Sequence, residues 1–96
     1  MTIDEMRRTL RISTTAFDDD IYALADAAID DMRLAGIVID DPDDPLIKRA
    51  ILTYLRLNFG PLDPQVSQKL KEAYDEQKKQ LLMAHDTYRG EDNGTA

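Results

Sequence analysis

Between Pro45 and Gly60 the chain carries apolar side chains on more than one side of a helix, and that surplus limits how 96 residues can fold. Leu46, Ile47, Ala50, Ile51, Tyr54 and Leu55 repeat at i, i+3, i+4 spacing and mark one apolar stripe. Leu52, Leu57 and Phe59 fall outside that stripe. A helix apolar on several sides must be covered on several sides. Two solutions exist for so short a chain. Either this segment is the central helix of a small bundle, or a second copy of the protein covers its remaining flank.

The punctuation on either side predicts three further helices. Thr2 followed by Glu5 is a capping-box pattern, in which the hydroxyl accepts from a first-turn N–H and the carboxylate reaches back. Ile3, Met6 and Leu10 then form a short apolar stripe that Ser13-Thr14-Thr15 interrupts. Asp18-Asp19-Asp20 supplies capping carboxylates for a second helix, where Ile21, Leu24, Ala25, Ala28, Ile29 and Met32 keep one face apolar. Asp26, Asp30 and Asp31 are expected on its wet side, and Gly36 occupies the place of a left-handed C-terminal cap. Ile37-Val38-Ile39 is too short and isolated to be a sheet strand, so it reads as an extended connector tucked against the core. Asp44-Pro45 and Asp63-Pro64 each pair an N-cap with a proline at the first helical position. The fourth helix keeps a narrow inner stripe of Val66, Leu70, Ala73, Tyr74, Gln77 and Leu81, and its apolar period fades beyond Ala84. The expected fold is all-α: four helices forming one domain over residues 1–89, with a disordered acidic tail over 90–96.

Charge narrows the function. The net charge is −7 and it is unevenly distributed. Residues 13–45 hold ten acids against Arg33 alone, whereas residues 46–60 hold Lys48, Arg49 and Arg56 with no acid. Such a chain has no broad basic footprint with which to grip phosphates, and specific DNA binding is not expected. No apolar run approaches the roughly 20 residues that span a bilayer. There is no cysteine, which removes disulfides and thiolate metal sites and suits a reducing compartment. With no secretory signal at its start, the chain reads as a soluble intracellular protein.

Catalytic and metal-binding patterns fare no better. Asp26 and Asp30 share a helix face, but no histidine or second acidic helix completes a site, so a solvated face is the simpler account. The Asp40–Asp44 run lacks the glycine and the terminal glutamate of a calcium loop and is broken by prolines. His85 is the only histidine, without the partners of a triad or a zinc site. Tyr54, Tyr74 and Tyr88 read as core-edge residues with the ring inside and the hydroxyl outside. No catalytic residue, cofactor or metal is expected. Arg7, Arg8 and Arg11 form a small basic face on the first helix, either simply solvated or complementary to the acidic segment of a neighbouring subunit.

The order of these segments, with "IKRAILTYLRLNFG" over residues 47–60 and "YDEQKKQLLMAHDTYRG" over 74–90, resembles the small head–tail connector proteins of long-tailed phages. The likeness spans residues 3 to 89 and contains no catalytic signature. It implies an all-α virion protein, made in the host cytoplasm, that assembles into a ring of about twelve subunits under the portal. Such a ring extends the DNA channel, lets DNA pass without specific binding, and offers a platform to the next head-completion or tail protein. It further implies that the C-terminal segment, here His85, Tyr88, Arg89 and Gly90, reaches the portal protein. The residues themselves fit a ring, which needs two different surfaces per subunit. Arg7, Arg8, Leu52, Leu57 and Phe59 are the candidate interface residues, and a negative channel wall would keep phosphates off the lining. A small acidic interaction protein of another kind, a DNA mimic or a regulatory adaptor, is the alternative.

Overall fold

The computed structural model describes the backbone of residues 1–95 and the side chains of residues 1–84. It contains α1 (Ile3–Leu10), α2 (Asp18–Leu34), α3 (Pro45–Asn58) and α4 (Pro64–Thr95), with no strand among the described residues. The tail expected over 90–96 and the group His85, Tyr88, Arg89 and Gly90 lie outside the described side chains.

Helix α3 packs against all three of the others, and α1 also touches α2. Within one chain α3 is thus the central helix of the bundle, while its outer face at Arg49, Leu52 and Arg56 stays at least partly open. Ile47, Ala50, Ile51 and Leu55 of α3 share one buried core with Ile21, Ala28 and Met32 of α2, Met6 of α1 and Tyr74 of α4. Ile21, Met32, Ile51 and Leu55 are the largest completely enclosed side chains. In the connector, Ile37 and Ile39 turn inward while Val38 faces out, so three β-branched residues alternate without any sheet partner.

The helix ends follow the local chemistry closely. Asp44 Oδ1 accepts from the backbone N–H of Leu46 at 3.0 Å and of Ile47 at 3.4 Å, which starts α3 with Pro45 in its first turn. Asp63 Oδ1 accepts from Gln65 N–H at 2.9 Å at the start of α4. At the end of α2 the N–H of Gly36 donates to Arg33 and that of Ile37 to Met32, a Schellman closure with Gly36 at φ 95°.

Two expected caps differ. Thr2 Oγ1 accepts from Glu5 N–H at 3.2 Å, but the Glu5 carboxylate leaves the capping box and pairs with Lys48 of α3 at 2.6 Å. A cationic partner across the bundle outcompetes a local N–H that water can satisfy. The aspartates at 18–20 do not cap α2 either. Phe17 occupies the cap position without a side-chain bond, and the three carboxylates occupy the first turn, where they complement the positive end of the helix.

Candidate subunit interface

The outer face of α3 is cationic. Lys48, Arg49, Leu52, Thr53 and Arg56 recur at helical spacing and, with Thr9 of α1, line an open cleft of about 430 Å³. Lys48 is tied to Glu5, and Arg49 makes one exposed hydrogen bond, at 3.0 Å, to Gln80 Oε1 of α4. Arg56 is exposed and has no ion-pair partner among the described residues. Leu52, half-buried, sits between the two arginines.

The rest of the surplus on α3 is mostly absorbed inside the chain. Leu57 is half-buried. Phe59 lies one residue past the helix in an extended conformation and packs edge-on against Phe17, with ring centroids 5.7 Å apart. The most exposed large apolar side chains lie elsewhere: Leu34 (89% exposed) ends α2 and Met83 (67%) lies on α4. Sequence periodicity located the central helix but did not show that Phe17, in what reads as a polar linker, would cover Phe59.

Arg7 is committed at home. Its Nε donates to Asp18 Oδ1 at 2.8 Å and its Nη2 to Asp18 Oδ2 at 2.5 Å, while Nη1 reaches Asp4 at 2.6 Å. The fork holds the Asp18 carboxyl below its ordinary value, through hydrogen bonding first, while the same contact raises Arg7. The attraction between the basic first helix and the acidic start of the second therefore acts within one subunit. Arg8, next to it, remains exposed.

A polar junction between α2 and α4 escaped the sequence reading. Tyr74 Oη donates to Asp31 Oδ2 at 2.6 Å, Lys78 Nζ donates to the same oxygen at 3.1 Å, and Lys78 lies 4.7 Å from the centre of the Tyr74 ring. The Tyr74 hydrogen bond chiefly, with Lys78 behind it, lowers the Asp31 carboxyl below its ordinary value against the opposing effect of burial. Burial first, then Asp31, raises the Tyr74 phenol. Asp31 is thus a pinned residue rather than part of a wet face. The i, i+4 spacing of Tyr74 and Lys78 was the available signal, since it puts an aromatic hydroxyl and an ammonium on one edge of α4.

Among the described residues no cluster of histidine, aspartate or glutamate is arranged to hold a metal ion, and no helix is long and apolar enough to cross a membrane. What remains is a small helical module whose chemistry lies in its surfaces, with a cationic cleft on one helix and exposed carboxylates on another. The family model described as phage connector protein matches residues 2–88, and the chain belongs to that family. It is accordingly a phage structural protein and a virion component. Comparison with curated proteins and with solved structures gives no match.

Proposed function

We propose that this protein is a head–tail connector that assembles into a ring beneath the portal, extends the DNA channel, and presents a platform to the next head-completion or tail protein. The family match over residues 2–88 carries this reading. Physical observations support it. The subunit has an outward cationic surface on α3 and an outward acidic one on α2, and a ring of identical copies needs two different contact surfaces. The net charge of −7 per copy disfavours adhesion of a passing duplex. In this reading residues 1–89 form the connector domain, and His85, Tyr88, Arg89 and Gly90 lead the C-terminal segment to the portal. About twelve copies would match the usual symmetry of the assembly.

The DNA-mimic alternative loses ground to the same geometry. A mimic needs a broad array of free carboxylates, and four aspartates are engaged within the chain: Asp18 and Asp31 by cations, Asp44 and Asp63 as helix caps. The test is co-elution with purified portal, monitored by light scattering. A stable complex containing many copies per portal supports the connector. Failure to bind portal at any ratio, together with inhibition of a nucleic-acid enzyme, would transfer the protein to the mimic class.

A further inference from the structure

The exposed faces of α2 and α3 match each other in charge and in helical spacing, and within one chain their charged groups do not pair. On α3, Arg49, Leu52 and Arg56 stand at steps of three and four residues, with both arginines exposed and Leu52 half-buried between them. On α2, Asp26, Ala23 and Asp19, read backwards, stand at the same steps of three and four, and all three are exposed. Each set spans eight residues, whose seven steps cover about 10.5 Å of helix. Laid antiparallel, Arg49 faces Asp26, Arg56 faces Asp19, and the bulky Leu52 faces the small Ala23. Among the described residues none of the four charged groups has an ion-pair partner in its own chain.

We propose that α3 of one subunit docks antiparallel on α2 of the next, with Leu52 seated over Ala23 and flanked by the Arg49–Asp26 and Arg56–Asp19 pairs. The inference rests on the ring reading above and assigns its contact surfaces. The occupant is a second copy because both halves of the match lie on the same chain. A contact between two different faces leaves one of each free on every dimer, so it propagates until the assembly closes. Arg7, engaged with Asp18, is left out of this interface, and the charges of α3 that sequence alone left unassigned are its centre.

Charge reversal tests it. Arg49→Glu/Arg56→Glu makes both faces acidic, and Asp19→Lys/Asp26→Lys makes both basic. Each variant alone is expected to stay monomeric by sedimentation at concentrations at least about 100-fold above those at which the unaltered protein associates. An equimolar mixture should assemble again, since each then offers the other an opposite face. Either variant assembling like the unaltered protein would overturn this interface and leave the ring reading standing. An unaltered protein that never associates, alone or on portal, would overturn both. Should a variant lose its helical circular dichroism, the absence of native cysteine provides a second route. Ala23→Cys and Leu52→Cys proteins, mixed and oxidised, should form the mixed disulfide in excess over either homodimer, and equal yields of all three would reject the register.

Discussion

Arg11 holds a left-handed backbone at the end of α1, with φ 57° and ψ 43°, while Ile12 N–H closes back on Arg7 and Arg11 N–H on Arg8. A side chain in that region crowds its own backbone, and glycine does not. Arg11→Gly is expected to raise stability by about 0.5–1 kcal/mol in urea titration, whereas Gly36→Ala, at φ 95° just past the end of α2, should lower it by a similar amount. Asp31 and Tyr74 set a pH dependence at each extreme. The Asp31 carboxyl lies below its ordinary 3.8 in the folded protein, so its contribution is complete above that value and is lost as pH falls further. Asp18 and Glu5, lowered by Arg7 and Lys48, act in the same sense. The Tyr74 phenol is raised above its ordinary 10.0, so its contribution is present below pH 10 and fades above it. Tyr74→Phe should cost about 1 kcal/mol at neutral pH through the lost hydrogen bond and should flatten the alkaline limb of the stability profile. An unchanged alkaline limb would mean that the Tyr74 phenol is neither buried nor bonded to Asp31 in solution.

Among the elements, α3 is the one on which the others depend. Leu55 is fully enclosed near its C-terminal end, and Leu55→Ala should cost about 2–5 kcal/mol, enough to lower the melting temperature by roughly 8 °C or more in a domain of this size. Arg7→Ala acts on one junction only: it should speed amide exchange in α1 while leaving exchange in α3 near its original rate. Helix order, the Asp-Pro starts, the Gly36 stop and the extended connector were legible in the sequence because each depends on neighbours within four residues. Glu5–Lys48, Arg7–Asp18 and Tyr74–Asp31 were not, because each joins two elements and is decided by how those elements pack. The apolar excess of α3 was legible as an excess, but not its cover. Phe59 meets Phe17 forty-two positions earlier, a contact no local period encodes.

On the scale of the whole molecule, charge is segregated: carboxylates gather on α2 and the loop that follows, and cations on the outer face of α3. A monomer gains little from this separation, since exposed charges are screened within about 8–10 Å at physiological salt. In the proposed ring this separation would become order, with acidic faces meeting basic ones at every joint. Association should therefore weaken as salt is raised, most steeply between low and physiological ionic strength. The most direct test of the connector reading is negative-stain imaging of the purified protein, alone and mixed with portal. Closed rings with an open centre, stacked on portal where it is present, are the predicted result. Single small particles in both samples, at concentrations where the helices are fully folded, would contradict it.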